Sequence, residues 1–358
     1  MVKEPVIAAF LGAQALGDFV MHHVTVASVA QALQGCRLVA IYRDDRPYKK
    51  LVTMMNPFVT HPLAASDQPG AMVPLDWFDG RRRGLAGPSG PRWREEGLHA
   101  PDVFLTPAMT RMNQCLGQPP ALRFPDSLDE AMGTALERLG LQRNRWFVCL
   151  HLREEGYRFR GVEEARCVDP RSYLPAILRI IEHHCGQIVR IGDPAMTPMP
   201  ALPGLIDLSR FPDSFPLQAY ATARARFFLG TDSGPTQLAC ALKTPVATTN
   251  CLTATVWNDG DLVVHKRPVL PDGTRLSFEI MREIGHALGN LRPKGLSFRD
   301  NSPAVLVRAV DHMVAATADC PEWRFLPSAP PAVGDRVNLP LSWRRYDEIA
   351  RPVYLDDI

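Results

Sequence analysis

The densest set of residue types able to do chemistry lies in the run Phe227-Phe228-Leu229-Gly230-Thr231-Asp232-Ser233-Gly234-Pro235-Thr236-Gln237-Leu238-Ala239. Its apolar start reads as a buried strand, the polar residues after Gly230 as a small turn, and the remainder as the opening of a helix. Asp232 and Ser233 are helix-capping types, Gly234 lets the backbone approach a ligand closely, and Pro235 suits an early helical position where its missing N–H costs nothing. Backbone amides at such a helix start point at whatever sits above the strand end, and that geometry holds a phosphate. A well-capped connection with no ligand uses the same residues, so the turn by itself leaves both readings open.

Other strand ends supply further groups. His151-Leu152-Arg153 follows an apolar run, and a guanidinium there makes paired hydrogen bonds to phosphate oxygens while keeping its charge in a cleft. The alternative for Arg153 is a salt bridge to Glu154 or Glu155, and His151 serves equally as a structural histidine or a ligand contact. Downstream, Arg158 and Arg160 sit in a loop from which they either close over phosphates or remain solvated. Gly192-Asp193 ends the next apolar run. Near the N-terminus, Gly12-Ala13-Gln14-Ala15-Leu16-Gly17-Asp18 joins a strand to a helix without the G-x-G-x-x-G spacing of a dinucleotide turn. Asp18 is either a helix N-cap or a carboxylate able to take a proton from a hydroxyl. Neighbours on a helix point about 100° apart, so His22-His23 and His183-His184 do not form metal-binding faces. Asp259-Gly260-Asp261 has D-x-D form but carries turn residues and follows no clear strand.

These groups must be positioned by alternating strands and helices. The opening reads as βαβ, with a strand at Val6–Leu11, a helix at 18–33 and a strand at 37–42. Residues 56–125 are Pro- and Gly-rich with interleaved Trp77, Phe78 and Trp93, which suggests long ordered loops whose arginines, Arg81 to Arg83 and Arg92, suit an anionic acceptor. Ser127 with Glu130 three residues on forms a capping box for a helix at 127–141. Beyond a boundary near Asn144 come strands at 146–150, 187–191, 227–229 and 245–248, alternating with helices at 170–184, 217–225 and 235–242. That alternation implies a parallel, doubly wound sheet whose ligands lie at the strand carboxyl ends. A strand at Leu262–His265 and helices at 278–285, 303–316 and 346–350 complete the expectation.

At 358 residues the chain is long enough for two domains, since single cores stop growing near about 250–300 residues. Its 40 basic and 38 acidic residues give a net charge of +2, so no global field marks a nucleic-acid partner. Eight dispersed cysteines with no C-x-x-C pair argue against a zinc site or a disulfide framework and for reduced thiols in the cytosol. The run Val6–Leu11 breaks at Gly12, too short for a signal segment, and nothing approaches the about 20 apolar residues of a membrane span.

The two principal loops resemble those of the GT-B glycosyltransferases, specifically the family-9 heptosyltransferase group and its uncharacterised bacterial relatives. Ala15-Leu16-Gly17-Asp18 is similar to that family's N-terminal G-D loop, whose aspartate is taken as the catalytic base. The run from Gly230 to Ala239, with Ala241-Leu242 and Thr244-Pro245-Val246, resembles the family's D-T-G-x-x-H-L-A-A-A-L-x-x-P-V block, which binds the donor diphosphate. His151-Leu152-Arg153 is similar to the H-x-R element of GT-B fucosyltransferases, whose arginine binds the donor β-phosphate. The likeness is good from Trp146 to Asn250 and partial over the first forty residues. Gln237 stands where the family has histidine, Ser233 where it has threonine, and Val24 where its helix has proline. The resemblance therefore carries over the phosphate cradle but neither heptose nor ADP.

What it implies is an α/β GT-B architecture of two Rossmann-like domains whose parallel sheets face an interdomain cleft. Residues 1–143 would form the acceptor side and 144–320 the nucleotide-sugar side, with a tail at 321–358 packing back on the first domain. The implied activity is metal-independent transfer of a hexosyl or heptosyl unit from a nucleotide-diphosphate sugar to a hydroxyl of a glycan, glycolipid or protein, as in cell-surface glycan synthesis. Asp18 would be the base, while Arg153, Ser233, Gly234, Pro235, Thr236 and Gln237 would hold the diphosphate. His151, Asp193 and Asp232 would contact the nucleotide sugar, with Gly17, Arg158 and Arg160 as further loop contacts. No metal or other cofactor and no nucleic acid enters this reading, which places the protein in the cytoplasm with at most peripheral association with the inner membrane face. Its rivals are a sugar-nucleotide epimerase of the same fold and a non-catalytic sugar-nucleotide-binding protein.

Overall fold

Two parallel sheets carry the chain, each with its own core. The computed structural model describes residues 4–65, 97–105, 114–154, 164–252, 256–277, 295–318, 343–345 and 351–355. Internal contacts divide the protein into one unit of residues 1–125 with 328–349 and a second of residues 126–327 with 350–358.

In the first unit, β1 (Val6–Leu11) leads through a short turn into α1 (Leu16–Leu33), followed by β2 (Arg37–Arg43), α2 (Tyr48–Met54), β3 (Val59–Ala65), β4 (Val103–Leu105) and β5 (Gln114–Leu116). Strands β3-β2-β1-β4 form a parallel sheet in that order. Every residue of β1 is apolar and buried, as a central parallel strand covered on both faces requires. The region expected to be long loops thus contributes β3 to β5; Trp77, Phe78, Trp93 and the arginines from Arg81 to Arg92 lie outside the described residues.

The second unit opens with α3 (Asp126–Arg138) and continues through β6 (Phe147–His151), α4 (Leu174–Leu178), β7 (Gln187–Arg190), β8 (Leu205–Asp207), α5 (Phe215–Arg224), β9 (Phe227–Gly230), α6 (Gly234–Ala241), β10 (Val246–Cys251) and β11 (Leu262–His265). A small antiparallel pair, β12 (Arg267–Val269) and β13 (Ser297–Arg299), precedes α7 (Pro303–Ala316). Near the C-terminus, β14 (Trp343–Arg345) pairs with β5 of the first unit, and β15 (Val353–Tyr354) adds to the edge of the second sheet beside β11.

The second sheet runs β15-β11-β10-β9-β6-β7-β8, parallel throughout. From β6 the chain winds outward to β7 and β8, then returns to β9 on the other side of β6 and winds outward again. That order reverses between β6 and β9, which creates a crevice beyond their carboxyl ends where open α/β sheets bind ligands. The first unit has the same reversal, between β1 and β4. Alternation along β6 sends Val148 and Leu150 into a core shared with Ile177 of α4 and Val310 of α7, while Cys149 meets Thr222 of α5.

Several local expectations shift. Helix α3 begins at Asp126, so Ser127 lies inside it and the capping box does not form. The same helix packs on α5, with Asp129 paired to Arg224, and it places the division between units after Pro125 instead of near Asn144. The span 170–184 is a 3₁₀ turn, a short α-helix and a π turn in succession, and β8 occupies a stretch with no strand signal. The helices expected at 278–285 and 346–350 lie outside the described residues.

Candidate functional site

The crevice between β6 and β9 collects most of the residues with chemical promise. His151 is the last residue of β6 and pairs in register with Gly230, the last of β9. Gly230 is there because nothing larger fits: a Cβ would lie 2.5 Å from the carbonyl oxygen of His151 and 2.7 Å from the Phe228 ring. Beyond that pair the two ends stay joined, since the Thr231 amide donates to the His151 carbonyl at 3.2 Å and the Arg153 amide donates to Thr231 Oγ1 at 2.9 Å. Arg153 is thereby fixed at the crevice floor and buried.

Glu154 does not pair with Arg153. Its carboxylate accepts from Arg190 at 2.6 Å and from the Thr197 amide at 2.8 Å, and Arg190 also donates to Asp207 at 2.9 Å. Arg190 is fully buried at the end of β7, so one cation between two carboxylates ties together the ends of β6, β7 and β8. Glu155 lies outside the described residues, as do Arg158 and Arg160.

On the β9 side, Ser233 occupies the N-cap position of α6, but its hydroxyl makes no cap bond. The expectation that Ser233 caps this helix therefore fails, and the reason is competition: Ser233 Oγ contacts His151 Nδ1 at 3.0 Å and Thr236 Oγ1 at 3.2 Å. Thr236 in turn donates its proton to the Thr231 carbonyl at 2.6 Å. One proton arrangement satisfies all three contacts, a relay from His151 Nδ1–H through Ser233 and Thr236 to that carbonyl. It leaves His151 Nε2 as an acceptor, suited to a hydroxyl. Burial and the charges of Arg153 and Arg190 push the His151 pKa down to about 3, so the imidazole is neutral. Gly234, Pro235 and Thr236 form the first turn of α6, with Gln237 buried behind them and its amide already bonded to the Ser233 carbonyl. The N-cap residue Ser233 makes no cap bond, and the positive dipole end of the helix follows Thr231, which accepts from the Arg153 amide.

Asp193 follows β7 by a short turn and is exposed, with its carboxylate accepting from the Ala195 amide at 2.9 Å. Asp232 is buried beside the cradle. In the first unit, Asp18 is the third residue of α1, half-buried in its first turn, and the N-cap is Ala15. The N-cap reading of Asp18 is thus wrong, although the helix dipole still favours a carboxylate there. Gly17 is buried inside α1 and is not a loop residue.

The remaining motifs are structural. Asp261 is buried and accepts from the Val246 amide at 2.9 Å, and Asp259 accepts from the Arg351 amide at 2.8 Å, so backbone amides hold the D-x-D carboxylates in place. His23 is fully buried between Thr53 and Asn56, and His184 bonds Asp311 at 2.7 Å. Among the described residues no group of three or more His, Cys, Asp or Glu is placed to hold a metal ion, no helix is long and apolar enough to cross a membrane, and the seven cysteines are free thiols.

The sequence did not single out the polar scaffold next to the cradle. Tyr173 bonds Thr249 and Asn250, Thr249 donates to the Gly230 carbonyl, and Asn250 and Asn301 exchange amide hydrogen bonds at 2.6 Å each. The one available signal was Thr248-Thr249-Asn250, a polar run closing a buried strand.

Known structures fit this topology. The glycosyl transferase family 9 protein from Veillonella parvula DSM 2008 aligns with 88% of this chain and 99% of its own at 11% identity, with a TM-score of 0.55. The chain has the fold of a family 9 glycosyl transferase. E. coli ADP-heptose lps heptosyltransferase II aligns over 88% of this chain and 100% of its own at 11% identity and a TM-score of 0.47. The UDP-GlcNAc 2-epimerase from Methanocaldococcus jannaschii aligns over 97% and 96% at 11% identity and a TM-score of 0.33. No family model and no curated protein sequence matches the chain. The turn into α6 lies at the second sheet and the Ala15–Asp18 segment at the first.

Proposed function

We propose that this protein is a glycosyltransferase that moves a sugar from a nucleotide-diphosphate donor to a hydroxyl acceptor. The observation that carries the reading is the crevice at the strand-order reversal, where buried Arg153 is tied through its amide to Thr231, just ahead of the first turn of α6. A diphosphate suits that pairing, because guanidinium and helix dipole both stabilise negative charge. The family 9 fold supports the same reaction class.

In this reading Asp18 takes the proton of the acceptor hydroxyl as its oxygen bonds the anomeric carbon of the donor sugar. The bond from that carbon to the phosphate oxygen breaks, and the departing diphosphate keeps the electron pair. Arg153 with the amides of the α6 first turn stabilises that charge, which grows as the bond lengthens. Asp193, on the β7 side, suits the nucleoside ribose, as an acidic residue at that strand end does in dinucleotide folds.

Thermal shift and calorimetry with ADP, GDP and UDP test the site directly, since a ligand of the native state raises stability with its free concentration. At least one diphosphate is expected to bind, with affinity lowered about tenfold or more in Arg153→Ala, as befits loss of a charge-assisted contact. Equal affinity in that variant sinks the assignment. Incubating the donor without acceptor separates transfer from epimerisation, because only an epimerase then yields an isomer.

A further inference from the structure

The peptide joining Gly230 to Thr231, where β9 ends at the crevice, is gripped from both sides. A planar trans peptide sends its N–H and its C=O in opposite directions. The Thr231 amide donates to the His151 carbonyl of β6 at 3.2 Å, and the Gly230 carbonyl accepts from Thr249 Oγ1 of β10 at 3.1 Å. Thr231 Oγ1 in turn accepts from the Arg153 amide at 2.9 Å, so whatever turns this peptide moves Arg153. The grip from β10 is made by a side chain and depends on where a hydroxyl points.

A buried chain sets that direction. Tyr173, Thr249 and Asn250 are each fully buried. Asn250 Nδ2 donates to the Tyr173 hydroxyl at 2.8 Å, and that hydroxyl lies 2.7 Å from Thr249 Oγ1. Thr249 gives its only proton to the Gly230 carbonyl, so Tyr173 is the donor between them. Burial raises the Tyr173 pKa above the usual phenol range and keeps that proton in place. The Asn250 amide is fixed the same way round, because its Oδ1 accepts from the Asn301 amide at 2.6 Å.

The chain starts at a strained residue. Asn250 has a φ of 52°, a left-handed conformation that a side chain keeps only where its surroundings over-determine it. Here they do: the Asn250 amide donates to Asn301 Oδ1 at 2.6 Å, and the register with β11 shifts between Thr248 and Cys251 on either side of it. A strand end that served packing alone would need neither the strain nor the buried polar groups, whereas a satisfied network specifies one arrangement of its neighbours.

We propose that Asn250, Tyr173 and Thr249 are positioning residues of the diphosphate site, an ordered hydrogen-bond chain that sets the Gly230–Thr231 peptide and, through Thr231, the place of Arg153. This rests on the donor-diphosphate reading, and the experiment separates the two. Calorimetry on the full chain measures ADP, GDP and UDP against the wild type, Thr249→Val, Thr249→Ser and Tyr173→Phe. Thr249→Val keeps the shape and loses the hydroxyl, so affinity for the diphosphate that the wild type binds should fall about tenfold. Thr249→Ser keeps the hydroxyl and should recover most of that loss, and Tyr173→Phe, which removes only the orienting proton, should fall between them. A merely structural role would lower stability in urea melts and leave the affinity of the folded protein unchanged. Amide hydrogen exchange adds a readout that needs no ligand: in Thr249→Val the Thr231 and Arg153 amides should lose more protection than the Ile188 amide of β7. Equal affinity in the Val and Ser variants, or equal loss of protection at all three amides, overturns the proposal. If the wild type binds none of the three diphosphates, the donor reading fails and the assignment to a diphosphate site falls with it.

Discussion

The backbone amide of Arg153 donates to the hydroxyl of Thr231 across 2.9 Å, so the arginine we propose as the phosphate ligand is held by the strand on the other side of the crevice. Both are buried, and Thr231 is wholly so. Thr231→Val keeps the shape but strands that amide without its acceptor, which costs about 1–3 kcal/mol. Urea melts should register that loss, and nucleoside-diphosphate affinity should fall with it. Thr231→Ser keeps the acceptor and should restore affinity; if Val and Ser bind diphosphate alike, the tie does not position Arg153.

Gly230→Ala probes the same joint sterically. The added methyl would lie 2.5 Å from the His151 carbonyl oxygen, a backbone atom that moves only if β6 and β9 separate. Overpacking of this kind costs about 1–3 kcal/mol. The variant should fold with a lowered melting temperature and lose diphosphate binding. Retained affinity would show that the crevice floor tolerates a spread that this geometry forbids to a ligand-gripping site.

The strand-to-helix turns at β1–α1 and β9–α6 were legible in sequence because each is local, an apolar run followed by small polar residues. Sheet order was legible only as a class, since which strands neighbour β6 depends on contacts far apart in the chain. The pairing of Glu154 escaped notice for the same reason: its partner Arg190 is 36 positions away, whereas sequence offered Arg153 next door. Ser233 shows a different limit. Its type predicts a cap, but a histidine brought in from β6 competes for the hydroxyl and wins.

The buried cation of Arg190 should dominate stability at the sheet edge. Replacing it with methionine leaves the buried Glu154 carboxylate without its cation and takes one of two cations from the half-buried Asp207, a change that costs about 3–5 kcal/mol. A triple change of Arg190→Met, Glu154→Gln and Asp207→Asn removes the stranded charges and should recover much of that loss. Denaturant melts of the two variants make the comparison. Equal destabilisation would mean that packing, and not charge, is what Arg190 provides.

For Asp18 the expectation concerns rate. Asp18→Asn preserves size and the first-turn position in α1 while removing the base, so transfer should fall by roughly 100-fold or more. Diphosphate affinity should be unchanged, because the proposed donor contacts belong to the second unit. An unaltered turnover number with a real donor and acceptor would remove Asp18 from the mechanism.

Acid should unfold this protein through its histidines. Burial pushes His23 and His151 down to about 3 and His22 to about 4, from 6.5 in the unfolded chain. The unfolded state therefore takes up these protons first, and the stability they contribute, full above pH 6.5, drains away as pH falls toward 4. Asp261 works against this: burial raises its pKa from 3.8 to about 7, so its contribution is present at low pH and lost as pH rises through that value. Three histidines against one carboxyl make net destabilisation on acidification the expected outcome between about pH 6.5 and 4. Scanning calorimetry across that range should show a falling melting temperature, with a shallower slope in His151→Asn and a steeper one in Asp261→Asn. A slope that neither substitution alters would mean these groups are not buried neutral in the native state.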